Sequence, residues 1–201
     1  MTARPETKPS ARARAVALAL IVVLAGLGAV PLTALWRAFG PKVIAAPDFA
    51  LIDQDGRAFT LAGLRGHPVV LFFGYTHCPD VCPTTLAHLA QALHSPTVPA
   101  DENVVFITVD PQRDSPAVLK RYMRLFDPKF VGLTGSLATL EPIYAAYHMP
   151  RASVPADHGR NDYSIVHGTS LYYVGRSGVI KGFGGWQDDT SELTQDLARF
   201  Q

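Results

Sequence analysis

Pro68-Val-Val-Leu-Phe-Phe-Gly-Tyr-Thr-His-Cys-Pro-Asp-Val-Cys-Pro83 is the stretch on which the rest of the chain is read. Its first six residues form a continuous apolar run between Gly66 and Gly74, the pattern of a strand buried on both faces. A turn rich in Gly, Pro and Asp follows, and a helical stretch runs from Thr84 to Leu93. A buried strand feeding a helix is the unit from which α/β sheets are built. The unit recurs downstream. Val104–Val109 is a second buried strand, and Ser115-Pro116 is an N-cap with proline at N1, opening a helix to about Phe126. Phe130–Leu133 is a short strand. Ser136 opens a helix through Tyr147, with Pro142 expected to disturb its first turns.

Upstream, Phe49–Ile52 and Arg57–Thr60 flank an Asp55-Gly56 turn and predict a small hairpin. Downstream, Gly168–Val174 and Val179–Phe183 flank the Gly175–Gly178 turn, and Thr190 or Ser191 caps a final helix to Phe200. The order ββ-β-α-β-α-β-α-β-β-α predicts an α/β fold, a mixed sheet flanked by helices, and fits a thioredoxin-like layout. Residues 148–166 show no periodicity and are expected to form one long functional loop.

Of the 201 residues, 48% are hydrophobic and 17% charged, which excludes a disordered or low-complexity chain. Six of the eighteen basic residues and one of the seventeen acids lie in residues 1–42, so residues 43–201 carry a net charge of −4. A mildly acidic body has no electrostatic footprint for nucleic acid, and that class is excluded. Between Arg14 and Arg37 lie 22 uncharged residues, Ala15–Trp36. At about 1.5 Å per residue they would span the roughly 30 Å hydrocarbon core as a helix. Four basic residues precede the span, so residues 1–14 are expected in the cytoplasm and the body outside it. A cleaved signal peptide would have an apolar region of about 7–15 residues ending at a small-residue site. This run is longer, and Val43-Ile44-Ala45 lies well past it. The expected organisation is residues 1–14 cytoplasmic, 15–36 a transmembrane anchor, 37–47 a linker and 48–201 the folded domain.

The two cysteines, Cys78 and Cys82, are four apart at the strand–helix turn. On a helix that spacing puts both sulfurs on one face, where the unpaired amides and positive dipole end favour thiolate. Two uses follow: reversible disulfide chemistry, or binding of a soft metal. The gap is one residue longer than the C-x-x-C of thioredoxin-type redox pairs. Structural zinc normally needs four ligands, and no second cysteine pair exists. His77, His88, His94, His148, Met149 and His158 are read as surface or packing residues, and Asp110 with Arg113 as a structural ion pair or a functional pair at the sheet edge.

Tyr75-Thr-His-Cys-Pro-Asp-Val-Cys-Pro83 resembles the signature of the Sco/SenC copper proteins, which assist cytochrome c oxidase assembly. Val109-Asp-Pro-Gln-Arg-Asp114 and Asp162-Tyr163 followed by His167 resemble two further segments of that family, and the N-terminal anchor is typical of it. The resemblance covers about residues 45–200. It implies a thioredoxin-like fold in which Cys78, Cys82 and His167 bind one copper ion, Cu(I) or Cu(II). It implies a metallochaperone for the dinuclear copper centre of cytochrome c oxidase subunit II, in the inner membrane of a bacterium with its domain in the periplasm. Other periplasmic copper carriers or thiol reductants are further candidate partners. The alternative is a thiol–disulfide oxidoreductase using a redox-active Cys78–Cys82 disulfide. His167 separates the two, since a dithiol reductase needs no distant imidazole. Many relatives carry Asp just before the histidine, where this chain has Val166. Asp162 or a backbone carbonyl is expected to orient the imidazole instead, and Asp80 to modulate the thiols or contact a partner.

Overall fold

The computed structural model describes residue 12 and residues 43–155 and 163–201. The expected anchor at 15–36 lies outside the described residues, and among those described no helix is long and apolar enough to cross a membrane. The elements run β1 (Ala50–Asp53), β2 (Ala58–Thr60), a 3-10 turn (Leu61–Leu64), β3 (Val69–Gly74), α1 (Val81–Ala92), β4 (Asn103–Thr108) and α2 (Pro116–Met123). They continue as β5 (Val131–Thr134), α3 (Leu137–Ala146), β6 (Arg151–Pro155), β7 (Tyr163–His167), β8 (Leu171–Val174), β9 (Ile180–Gly184) and α4 (Thr190–Arg199).

Seven strands make one mixed sheet in the order β2-β1-β5-β4-β3-β8-β9. β3, β4 and β5 are parallel, while β1 and β8 join antiparallel on either side. This is the mixed, thioredoxin-like α/β architecture expected from the element order. β3 is buried along its whole length, as a central strand covered on both faces must be. Alternation along β3 sends Phe72 and Phe73 to opposite faces. Phe72 meets Phe106 of β4 edge-on, and Phe106 in turn meets Tyr122 of α2. Phe73 meets Tyr144 of α3, and Tyr147 just beyond that helix. The sheet is thus clad on one side by α2 and on the other by α3, with α1 packed against α4.

Local chemistry sets the helix ends. Ser115 accepts from Val118 N at the start of α2, with Pro116 at N1 as expected. At α4 the cap is Asp189, one residue before Thr190. Its carboxylate accepts from the amides of Ser191 and Glu192, while Glu192 accepts from Asp189 N, a reciprocal box that a hydroxyl at Thr190 or Ser191 could not complete. Pro142 lies inside α3 without ending it. The missing N–H costs one bond on an exposed face, while Leu140, Ile143 and Tyr144 bury the other.

The expected long loop at 148–166 is the main correction. β6 and β7 pair antiparallel, Arg151 opposite His167 and Pro155 opposite Tyr163, as a two-stranded sheet apart from the large one. β6 is exposed at four of its five residues, so it carries no apolar alternation for a reader of the sequence to find. His167 closes β7, and the following strand begins at Leu171, not at Gly168.

Candidate functional site

Gly74 and Thr108 are the last paired residues of β3 and β4, so the segments after them leave the same sheet edge side by side. Ligand sites of open α/β sheets collect at this carboxyl edge. From β3 come Tyr75 to Cys82, and from β4 come Asp110 to Asp114.

Cys78 precedes α1 and sits in a turn, its amide donating to Tyr75 O at 3.2 Å. Cys82 is the second residue of α1 and fully buried. The two sulfurs therefore meet because the turn folds back on the helix start, and not because both lie on one helical face. The expected helix-end effect is present: Cys82 N, an amide of the first turn, donates to Cys78 Sγ at 3.5 Å. Both cysteines are unbridged. His167 arrives from the end of β7, with Nε2 3.8 Å from Cys82 Sγ. Tyr75 stands edge-on to the imidazole, ring centres 5.7 Å apart.

The partner of the imidazole is the carbonyl of Gly168, 2.7 Å from Nδ1. A proton on Nδ1 donated to that carbonyl leaves the Nε2 lone pair directed at the sulfurs, the tautomer a metal ligand requires. Val166, 60% exposed, points away. Asp162, the other candidate for this role, lies outside the described residues. Asp80 carries its carboxylate on the surface toward Thr84 Oγ1, 3.4 Å away, and its backbone amide helps to lower the Cys78 thiol.

The two thiols are strongly inequivalent. Cys78 is lowered to about 4, first because the Cys82 thiol donates to its sulfur, with the backbone amides of Cys82 and Asp80 adding to this against the opposing effect of burial. Cys82 is pushed up, first by the same bond to Cys78 and then by burial. The half-exposed sulfur thus has the lowered thiol and the buried one the raised thiol, an asymmetry compatible with a thiol pair in which one sulfur attacks and the other resolves.

Among the described residues no group of three or more His, Cys, Asp or Glu stands preassembled around an ion. The sulfurs and imidazole are instead joined by hydrogen bonds. The donor set nonetheless fits a soft metal. Two thiolates and one imidazole nitrogen are the ligand types that Cu(I) and Cu(II) take.

The remaining histidines stay outside the cluster. His77 is exposed, with Nδ1 3.1 Å from Thr76 Oγ1, and His88 Nδ1 is 3.3 Å from Asp188 O. His94 and His148 are exposed and Met149 is buried; His158 lies outside the described residues. Sequence reasoning gave no role to a polar network beneath the cysteines. Asp114, fully buried, accepts from Thr76 N, Thr76 Oγ1 and Thr108 Oγ1, and burial pushes its carboxyl up. Asp110 pairs with Arg113, as expected, and also accepts from Tyr163 Oη at 2.7 Å. The signal was present in Val109–Asp114 and in Asp162-Tyr163, both singled out as motifs.

The SCO1/SenC family model matches residues 40–201. A SCO2-like protein of Rickettsia prowazekii is 37% identical over 151 residues, 74% of this chain and 73% of that protein. The structure of ScoI from Bradyrhizobium japonicum with copper bound is 37% identical and superposes with a TM-score of 0.69, covering 79% of this chain and 99% of the other. That of ScoI from Arabidopsis thaliana with copper bound is 32% identical with a TM-score of 0.71, covering 77% and 96%.

Proposed function

The chain belongs to the SCO1/SenC family, and on that premise we propose that it is a membrane-anchored copper metallochaperone for the dinuclear copper centre of cytochrome c oxidase subunit II. Cys78, Cys82 and His167 hold one copper ion as cargo. The observation that carries this reading is the imidazole Nε2 aimed at Cys82 Sγ from a separate strand, with Nδ1 tied to Gly168 O. Two sulfurs suit Cu(I), and an imidazole nitrogen makes the site acceptable to Cu(II) as well. The copper-bound relatives from Bradyrhizobium and Arabidopsis support the choice of metal. Residues 15–36 anchor the chain in the inner membrane, residues 37–47 link it, and the domain from residue 48 works in the periplasm, where a thiol pair also meets disulfide-forming conditions.

The inequivalence of Cys78 and Cys82 supports a second activity on the same residues, thiol–disulfide exchange with the cysteines of the oxidase subunit. Copper titration of the purified chain tests the first reading: one equivalent is expected, and Cys78→Ser and Cys82→Ser should each abolish tight binding. Retention of copper in either variant would exclude the site. His167→Ala tests the second. Exchange with a small dithiol should persist while Cu(II) binding is lost, and oxidase assembly in cells then reports which activity is essential.

A further inference from the structure

We propose that Asp110, Arg113 and Tyr163 form a latch that holds the β6–β7 hairpin, and with it His167, against the sulfur pair. The inference rests on the copper-site reading and names the residues that position its histidine.

The hairpin shares no backbone ladder with the seven-stranded sheet. Its attachment therefore depends on side chains. Successive residues of a strand alternate between faces, so Tyr163, Ile165 and His167 share one face, while Val166 on the other is exposed and the Ser164 side chain reaches Tyr75. The inward contacts of that shared face are the ones that hold the strand. His167 meets Cys82, Ile165 is buried with its amide 3.4 Å from Tyr75 Oη, and Tyr163 donates to Asp110 Oδ1 at 2.7 Å.

Asp110 is a rigid post. It is fully buried, its own amide donates to Thr108 Oγ1 at 2.9 Å, and Arg113 Nε donates to its second carboxylate oxygen. The same guanidinium lies 3.8 Å from the centre of the Tyr163 ring. On β6, Arg151 Nε donates to Val109 O at 2.5 Å and adds a second fastening. Tyr163 begins β7 and His167 ends it, about 13 Å apart at roughly 3.3 Å per residue. The paired strands transmit position from one to the other. Release of Tyr163 frees the strand that carries the imidazole, leaving both sulfurs in place on their own turn.

The test uses the full chain in detergent with Tyr163→Phe, which keeps the ring and removes the hydroxyl. A hydrogen bond to a charged group is worth about tenfold or more in an opening equilibrium. Amide hydrogen exchange of residues 151–155 and 163–167 should therefore speed up about tenfold. Transfer of Cu(II) to EDTA should speed up by a similar factor, because it needs the imidazole withdrawn. Transfer of Cu(I) to bicinchoninate, which the two sulfurs govern, should change by less than about twofold. Tyr147→Phe removes another buried hydroxyl bond, to Pro47 O, and should leave all three rates as in the wild type. Unchanged exchange in Tyr163→Phe would overturn the latch. Faster exchange with unchanged Cu(II) transfer would overturn its role in positioning His167. If the wild-type chain takes up neither Cu(I) nor Cu(II), the copper reading falls, and exchange alone decides whether the latch holds the hairpin.

Discussion

Gly74→Ala tests whether the carboxyl edge of β3 is packed as tightly under the sulfurs as the structure shows. A Cβ built on Gly74 would lie 2.6 Å from Phe106 Cε2 and 2.9 Å from Cys82 Sγ. Carbon atoms rest about 3.5–4.0 Å apart, so the Phe106 ring must retreat by about 1 Å and the Cys82 sulfur by somewhat less. Neither has room: both are fully buried, and Phe106 is wedged between Phe72 and Tyr122. Overpacking of this kind costs about 1–3 kcal/mol. The smaller conformational freedom of alanine in the unfolded chain returns about 0.4–1 kcal/mol. The net expectation is a loss of about 1–2 kcal/mol, or about 2–8 °C in Tm for a domain of this size. Denaturant unfolding and thermal melts of the metal-free chain measure it, and Cu(II) uptake reports the displaced sulfur. Gly132→Ala is the control. Its Cβ would meet Met123 Cγ at 3.1 Å and Leu119 Cβ at 3.2 Å, both on or beside α2 and neither part of the sulfur pair, so it should leave Cu(II) uptake intact. Wild-type stability and uptake in Gly74→Ala would refute the close approach of backbone to sulfur.

Three other outcomes are expected. Because the Cys78 thiol is lowered to about 4, Cys78 should react with iodoacetamide at pH 6, where a thiol of ordinary pKa near 8.5 is nearly silent, and Cys82 should not; mass spectrometry of the alkylated peptide decides. Burial pushes Glu102 up to about 8, so the folded chain keeps a proton that the unfolded chain releases above pH of about 4.5. Stability should fall as pH rises between those values, and Glu102→Gln should remove that part of the slope in melts from pH 4 to 9, whereas an unchanged slope would show that Glu102 is not its source. Alkaline phosphatase fused after residue 42 should be active in the periplasm, and activity only of a cytoplasmic reporter at that point would reverse the topology.

The parts of the fold legible in the sequence are those where burial imposes a period. β3 and β4 show as apolar runs, and Ser115-Pro116 marks a helix start by its own chemistry. The β6–β7 hairpin is not legible because its order comes from backbone pairing and from Tyr163 and Arg151 reaching other elements. Only Ile165 of its ten residues is buried. The site divides in the same way. Cys78 and Cys82 announce themselves by spacing, yet the helix begins at Val81 and not at Thr84, so only Cys82 lies on it while Cys78 reaches it from the preceding turn. The carbonyl of Gly168 as partner of His167 could be anticipated only as one option among others, since a backbone acceptor leaves no trace in residue type. Asp110 and Asp114 sit in a recognisable motif, but their partners Thr76, Thr108 and Tyr163 come from other segments, and only the fold brings them together.

The central claim is that two sulfurs from one turn and one imidazole from a separate strand hold a single copper. X-ray absorption spectroscopy of the copper-loaded chain, beside the same measurement on His167→Ala, tests it most directly. The account predicts two sulfur scatterers at about 2.3 Å and one imidazole nitrogen at about 2.0 Å in the wild type, with only the nitrogen lost in His167→Ala. Fewer than two sulfurs, or an imidazole contribution that survives the substitution, would contradict it.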